Sequence, residues 1–439
     1  MNVTTAEGAP EIKNRLNCYP EYKDSGVEWL GEVPAGWAVK RLKYAAHINM
    51  GQSPSSEDCN QKEIGTPFLQ GNAEFGYHHP TPHLWCECAN KHANHHDILL
   101  SVRAPVGELN LADQVYGIGR GLCAITPTNI DQNYLWYGLQ VFREELSSRS
   151  TGSTYDAVTV NDVRNLSVLI PPDEQRAIAA FLDCKTAHID ALIEKKRRLI
   201  SLLEEKRTAL ISHAVTKGLD PNAPMKDSGI PSVGQIPSHW KTRWNKRVFE
   251  EIDERSPSGR EELLTVSHIT GVTPRSEKNV SMFMAESMEG YKICRKNDLV
   301  INTMWAWMGA LGITQYDGIV SPSYNVYRLK KEYFPPYLDF LYRTSAYVCE
   351  ITRHSKGIWK SRLRLYPDSF SEIFTLEPPL SEQRQISEYI SHTIIKNNIF
   401  IDKLNKSLEK LQEYRTALIS AAVTGKIDVR AEEIGGGMA

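Results

Sequence analysis

The sequence predicts a mixed α/β (α+β) protein built as a tandem repeat, in which two globular domains alternate with two long helices. Two observations carry this prediction. Residues 23–37, KDSGVEWLGEVPAGW, return at 226–240 as KDSGIPSVGQIPSHW with an ungapped offset of 203 residues. Residues 174–216 return at 382–424 with an offset of 208, and 17 of those 43 positions are identical. Two ungapped matches in the same order indicate a duplicated unit.

Length and composition fit this architecture and exclude several other classes. At ~150 residues per domain, 439 residues suggest about three domains, and the hydrophobic content of 41% is typical of a globular chain. No stretch predicts a membrane helix or a signal peptide, so we expect a cytoplasmic protein with no membrane partner. Eight cysteines, mostly far apart, fit a reduced chain. Because the net charge is −2, any nucleic-acid surface must be local.

The repeats also predict domain boundaries. We expect an N-terminal tail at 1–21, a globular domain at 22–170, a helical segment at 171–221, a second globular domain at 222–377, a second helical segment at 378–428 and a tail at 429–439. The middle stretches, 41–168 and 244–375, share little sequence. Each alternates strand-like apolar runs with Gly and Pro, which predicts two α/β globules with different surfaces.

The two segments that begin with EQR predict long helices. Neither contains proline, Asp173 and Ser381 are good N-caps, and Gly218 and Gly425 lie where a left-handed residue ends a helix. Apolar residues lie at heptad spacing along both segments: Ile193, Ile200, Leu203 and Leu210 in the first, and Ile401, Leu404, Leu408, Leu411 and Leu418 in the second. Either each helix packs on its own globule, or the two helices pair with each other as a rod of about 65 Å, which we favour.

The order of several short motifs is more specific than any one of them. The KDSG entries, the PPDEQR (171–176) and PPLSEQR (378–384) helix starts and the RTALIS…AVT ends alternate with two variable domains. The first variable domain adds GQSPS (51–55), GTPFLQGN (65–72), DILLSVRAPVGELNLAD (97–113) and STGSTYDAVTVNDV (150–163). The second has NDLVINTMWAWMGALG (297–312) instead of DILLSVRAPVG, which leaves its register open. Over about 22–428, the chain resembles the specificity subunit (HsdS) of type I restriction-modification systems.

That resemblance implies a non-catalytic role in phage defence. Each variable domain would be a target recognition domain that reads one half of a bipartite, asymmetric site in double-stranded DNA. The helices would form an antiparallel coiled coil that docks two methyltransferase (HsdM) subunits, and restriction (HsdR) subunits would join the full complex. The chain itself would hold no cofactor. S-adenosylmethionine would belong to the adenine-N6 methyltransferase, and ATP and Mg²⁺ to the restriction subunit with its endonuclease activity.

Candidate DNA contacts lie in both variable domains. Cations and an aromatic residue crowd one stretch of the second domain that carries no acid, and polar or cationic residues are scattered through the first. The candidates are Arg353, Lys356, Trp359, Lys360, Arg362 and Arg364 in the second domain, and Gln70, Asn72, Arg103, Arg120, Ser153 and Thr154 in the first. Arg pairs with guanine and Gln or Asn with adenine, while a solvated basic face and turn formation are the alternatives. We expect Trp305 and Trp307 in the core of a strand rather than in a DNA groove.

Other functions have weaker signals. The strings FPPY (334–337) and SPSY (321–324) lack the residues that a methyltransferase needs to hold an amino group, and no GxxxxGK[ST] loop for ATP occurs. Six histidines and two cysteines fall within 78–96, but their spacing favours a polar loop over a zinc site, so we predict no metal. The alternative to DNA recognition is a coiled-coil interaction scaffold that does not bind DNA.

Overall fold

The computed structural model describes residues 17–143, 145, 146, 157–277, 287–359 and 362–432. The chain divides into two compact units. The first unit comprises 1–196 with 406–439, and the second comprises 197–405. Each unit is a mixed α/β globule that includes part of both long helices, so the predicted fold class is confirmed. Within the described part of the chain, no helix combines the length and the hydropathy that crossing a membrane would require.

The first unit contains thirteen described strands and the helices between them. The strands are β1 (Tyr22–Asp24), β2 (Glu32–Pro34), β3 (Ala38–Arg41), β4 (Ala46–Met50), β5 (Cys59–Asn60), β6 (Thr66–Leu69), β7 (Leu84–Cys86), β8 (His92–Ala93), β9 (Ile98–Ser101), β10 (Leu109–Leu111), β11 (Tyr116–Ile118), β12 (Leu122–Pro127) and β13 (Ser167–Ile170). The helices are α1 (Gln132–Phe142), α2 (Val160–Arg164) and α3 (Gln175–Lys217), the last of which continues into the second unit.

A four-stranded antiparallel sheet, ordered β10-β9-β12-β4, lies at the centre of the first unit. Successive residues of a strand point to opposite faces of the sheet, so apolar strands in this sheet can contribute side chains to a core on each face. Ile98 and Leu100 join the core that includes α1 and α3, whereas Leu99 joins Leu69 and Ile118 in a second core. The strands outside this sheet that contribute to the second core, β6, β8 and β11, belong to a five-stranded sheet, ordered β5-β7-β6-β11-β8.

The second unit contains twelve described strands. They are β14 (Met225–Asp227), β15 (Gln235–Pro237), β16 (Lys241–Trp244), β17 (Phe249–Ile252), β18 (Leu264–Ser267), β19 (Gly271–Pro274), β20 (Lys292–Cys294), β21 (Leu299–Asn302), β22 (Leu311–Ile313), β23 (Gly318–Val320), β24 (Tyr324–Leu329) and β25 (Phe374–Glu377). The helices are α4 (Asn245–Val248), α5 (Pro335–Tyr342), α6 (Ser345–His354), α7 (Pro367–Ser371) and α8 (Leu380–Val423), and α8 continues into the first unit.

The central sheet of the second unit, β22-β21-β24-β17, repeats the strand order of the first. This equivalence fixes the register that the sequence left open, because β21 now corresponds to β9. The residues before these strands agree: His96 and Asn297 both have positive φ, and Asp97 and Asp298 both accept a hydrogen bond from a backbone N–H three residues earlier. The stretch 297–312 is therefore the structural counterpart of 96–110.

In each unit, segments of the two long helices lie antiparallel. In the first unit, Asp190 on α3 accepts two hydrogen bonds from Arg415 on α8, at 2.9 and 3.1 Å. In the second unit, Arg207 on α3 donates to the side-chain oxygen of Asn398 on α8 at 3.1 Å. The residues of the predicted heptad stripe are buried or half-buried, with Ile193, Leu404 and Leu418 the most enclosed: Ile193 7% exposed, Leu404 8% and Leu418 1%.

The end of a long helix is anchored in the same way in both units. In the first, the hydroxyl of Tyr134 donates to the carbonyl of Val423 at 3.3 Å. In the second, the hydroxyl of Tyr337 donates to the carbonyl of Val215 at 3.0 Å. Burial raises the pKa of both tyrosines well above the ordinary value, so the hydroxyls remain donors.

Three details differ from the sequence-based expectations. Helix α8 begins at Leu380, so Ser381 lies inside its first turn and is not the N-cap, and α3 begins two residues after Asp173. Tyr19 and Val429 are buried in the core of the first unit. These parts of the expected tails at 1–21 and 429–439 therefore belong to the fold. A local sequence pattern could not predict this, because Tyr19 packs against residues far along the chain, such as Glu174, to which its hydroxyl donates.

Candidate nucleic-acid interface

A cleft of about 1020 Å³ opens on the first unit, where the ends of β4 and β6 meet the turn between β11 and β12. The lining combines polar and cationic side chains with apolar ones, and none of the described residues that line it is acidic. The lining residues are Ser53, Pro54, Cys59, Asn60, Gln61, Lys62, Phe68, Gln70, Leu84 and Arg120. A cleft with this lining suits a polyanion that also presents hydrogen-bonding groups.

Glycines allow the three chain segments to approach each other at this cleft. A Cβ at Gly51 would lie 2.1 Å from the carbonyl oxygen of Gly119, and a Cβ at Gly119 would lie 2.8 Å from the side-chain oxygen of Gln70. Backbone hydrogen bonds fix the same approach, since Gly51 donates to Leu122 and Gly119 donates to Leu69. The motifs GQSPS, GTPFLQGN and the turn at 117–121 are therefore parts of one structure, which the sequence order alone did not predict.

Two predicted DNA contacts come together here. The side chain of Gln70 donates to the hydroxyl of Ser53 at 3.0 Å, and the same hydroxyl accepts the backbone N–H of Arg120 at 3.3 Å. Both predicted side chains are exposed. Lys62 also lines the cleft but was missed, although the polar run NQK at 60–62 was a signal that could have found it.

The remaining candidates of the first unit lie apart from the residues that line the cleft. Asn72 is half-buried in a 3-10 turn, Asn72–Glu74, and Arg103 is exposed, with its backbone bridged to Ala157. Ser153 and Thr154 lie outside the residues that the structure describes.

The candidates of the second unit lie on α6 and the loop that follows it. Arg353 forms an ion pair with the buried Glu350 at 3.2 Å, so part of its charge is already balanced within the protein. Lys356 and Arg364 form an antiparallel backbone bridge that closes the base of the loop. Lys356, Arg362 and Arg364 are exposed, as is Trp359, while Lys360 lies outside the described residues. The loop thus presents cations and an aromatic ring to solvent.

The interpretation of Trp305 as a core residue is wrong. Strand β21 ends at Asn302, and the chain then turns through a 3-10 segment, Ala306–Met308. Trp305 is 50% exposed and stacks on Trp307, with ring centroids 6.1 Å apart. The interpretation failed because it assumed that the strand continues through Trp305, whereas β21 ends three residues earlier.

The histidine-rich segment at 78–96 does not gather into a cluster. Most of these histidines are exposed, and His79 contacts the carbonyl of Leu111 through its Nδ1 at 3.0 Å. Cys86 is fully buried opposite Cys59 in the pairing of β5 with β7. Among the described residues, no three His, Cys, Asp or Glu side chains are grouped so that they could hold a metal ion.

Comparison with known proteins shows that part of the chain is similar to one family. Residues 34–202 match the family described as the Type I restriction modification DNA specificity domain. A putative type I restriction enzyme MjaX specificity subunit from Methanocaldococcus jannaschii is 37% identical over 202 residues, which cover 45% of this chain and 46% of that protein. The match thus spans less than half of the archaeal relative.

Two further similarities extend over most of the chain. The type I restriction enzyme EcoBI specificity subunit from Escherichia coli is 18% identical over 434 residues, covering 93% of this chain and 90% of that one. The crystal structure of the HsdS subunit from Thermoanaerobacter tengcongensis is similar over 90% of this chain and 98% of that chain, with 18% identity and a TM-score of 0.48. The chain is thus similar to type I restriction enzyme specificity subunits, at 37% identity over 45% of its length and at 18% identity over 93% of it.

Proposed function

We propose that this chain is the non-catalytic subunit that gives a type I restriction-modification complex its DNA sequence specificity. Each unit reads one half of a bipartite, asymmetric site in double-stranded DNA. The observation that carries the proposal is a repeated frame with different surfaces. Both units have the same central sheet order, but the first presents a cleft that holds polar and cationic side chains, and the second presents a cationic, aromatic loop. Two half-sites along one duplex require such a division, since each surface meets a different sequence.

In the first unit, we assign base reading to the cleft. Gln70 is oriented by Ser53, and its amide retains donor and acceptor capacity for the edge of a base, while Arg120 and Lys62 supply positive charge. Asn72, Arg103, Ser153 and Thr154 remain proposed contacts outside the cleft lining. In the second unit, Lys356, Lys360, Arg362 and Arg364 contact phosphates or guanine, with Arg353 and Trp359 beside them.

The long helices supply the proposed partner surface. Large apolar side chains are exposed on both helices, although the heptad stripe is covered: Leu192, Leu199 and Leu202 on α3, and Ile395, Ile399 and Phe400 on α8. Exposed apolar patches of this kind mark interaction sites. Two methyltransferase (HsdM) subunits dock here, bringing S-adenosylmethionine, and restriction (HsdR) subunits add ATP- and Mg²⁺-dependent cleavage. The assembly works in the cytoplasm, and the isolated chain self-associates.

The proposed domain boundaries follow from these roles. The recognition domains comprise 22–170 and 222–377, and the helical spacers comprise 171–221 and 378–428. An interaction scaffold that does not bind DNA remains the second candidate function, supported by the same exposed apolar residues on α3 and α8.

The test is co-expression with the methyltransferase encoded beside this chain, followed by single-molecule sequencing of methylated adenines in the host DNA. We expect an asymmetric bipartite motif with a fixed gap. Replacing residues 244–375 should change one half of the motif only, and Gln70→Ala with Arg120→Ala should relax the other half.

Lys23→Ala is the matched control for the cleft variants, because this exposed lysine lies on the repeated frame and not among the residues that line the cleft. It should leave the motif unchanged. If the unaltered complex forms but methylates no defined sequence, the assignment of specificity to this chain is contradicted. If it binds its partner but has no affinity for DNA, the scaffold function is favoured.

A further inference from the structure

Two loops of the second unit hold large apolar side chains in solvent. In the loop between β21 and β22, Trp305 is 50% exposed and Met308 38%. In the loop after α6, Ile358 is 95% exposed and Trp359 68%. Large apolar side chains exposed on neighbouring loops often mark a binding site, because exposing them to water is unfavourable. We call these four residues the apolar wedge.

The two loops are neighbours in the fold. The backbone N–H of Leu365 donates to the carbonyl of Thr303 at 3.1 Å, and the hydroxyl of Thr352 donates to the carbonyl of Trp307 at 3.2 Å. The stacking of Trp305 on Trp307 stiffens one side of the wedge. The apolar residues therefore lie on two loops whose backbones are hydrogen-bonded to each other.

The charge around the wedge identifies its occupant. Lys356, Arg362 and Arg364 are exposed in the same loop as Ile358 and Trp359, and the described residues between 351 and 367 include no acid. An apolar tip within a cationic surface complements duplex DNA, in which anionic phosphates flank an apolar base stack. In the first unit, the loop that corresponds to the one between β21 and β22, SVRAPVG at 101–107, carries no aromatic residue.

We propose that the apolar wedge inserts between adjacent base pairs of the half-site read by the second unit, and so unstacks and bends the duplex on that side. This inference rests on the proposed function. Phosphate contacts by the three cations hold the duplex against the loop, and Ile358 and Trp359 replace part of the base stacking that the insertion removes. Because flexible base steps are easier to unstack, the wedge also adds sequence preference at positions that no polar side chain contacts.

The test uses the full chain in complex with its methyltransferase subunit and a duplex that carries its methylation motif. 2-Aminopurine is placed in turn at positions of the second half-site other than the methylated adenine, whose own movement would be detected as well. Fluorescence should rise at one step with the unaltered protein. The double variant Ile358→Ala with Trp359→Ala should abolish that rise and weaken binding about tenfold, the usual effect of losing one stacking contact.

Two controls separate insertion from other causes. Ile269→Ala removes a residue of the same type that is 72% exposed elsewhere in the second unit, and it should leave both signals unchanged. A duplex with a mismatch at the responsive step should restore most of the affinity of the double variant, because that step is already unstacked. Charge loss or a folding defect would not be rescued in this way.

The outcomes are distinguishable from failure of the proposed function. If the unaltered complex binds and methylates its motif but no step brightens, or if the double variant behaves like the unaltered protein, the wedge is refuted while the specificity role remains. If the unaltered complex does not recognise any motif, the proposed function itself fails, and the wedge fails with it.

Discussion

The coupling energy between Asp190 and Arg415 in the first unit should be larger than that between the equivalent residues, Asn398 and Arg207, in the second unit. The duplication supplies a matched pair, because Asp190 and Asn398 occupy equivalent positions at the offset of 208, as do Arg207 and Arg415. In the first unit the contact is an ion pair with two hydrogen bonds, at 2.9 and 3.1 Å. In the second it is a single hydrogen bond to a neutral amide, at 3.1 Å.

The size of the difference follows from burial and charge. The side chains of Asp190 and Arg415 are 24% and 25% exposed, so solvent screens their attraction only in part. A two-bond contact between charged groups in such a place contributes about 1–2 kcal/mol. The contact between Arg207 and Asn398 is solvent-exposed, and we expect about 0.5 kcal/mol or less.

The assay is a pair of double-mutant cycles on the full chain, in which tryptophan fluorescence monitors unfolding in urea. Each cycle compares two single alanine variants with the double variant, which isolates the coupling energy. In 1 M NaCl, where the Debye length is about 3 Å, the coupling of the Asp190 pair should fall while that of the Asn398 pair stays nearly constant. Equal coupling energies in the two cycles would refute the reasoning.

Two further predictions concern stability. Gly425→Ala should lower the free energy of unfolding by well over 1 kcal/mol, because φ is +70° and the new Cβ would lie 2.4 Å from the ring of Pro34. The control is Gly229→Ala, which has φ +72° but open space around the new Cβ and should cost only about 1 kcal/mol. Thermal unfolding compares the two variants, and equal shifts in melting temperature would contradict the steric argument. Stability should also decline as pH rises above ~10, since burial raises the pKa of tyrosines such as Tyr337 in the folded state while unfolded tyrosines lose their protons. Tyr337→Phe should weaken that alkaline dependence in urea titrations at pH 9 and 11, and an unchanged slope would count against it.

The sequence by itself determined the tandem architecture, because an ungapped repeat is visible without any structure. It also determined the two long helices and the stripe along them, since heptad spacing places Ile193 and Leu404 on a covered face whatever the partner is. The resemblance to type I specificity subunits followed from the order of motifs. Local rules sufficed for these features because each depends on residues close together in the chain.

Only the tertiary structure decided which distant segments share a surface. Gln70 and Arg120 lie fifty residues apart, and they meet because Gly51 and Gly119 let three backbone segments come within contact. Trp305 was misassigned because its exposure depends on where β21 ends. Tyr19 was assigned to a tail because its partner, Glu174, is 155 residues away. Hydrophobic patterning reports whether a side chain suits burial, but burial itself is set by the packing of elements that the local sequence does not specify.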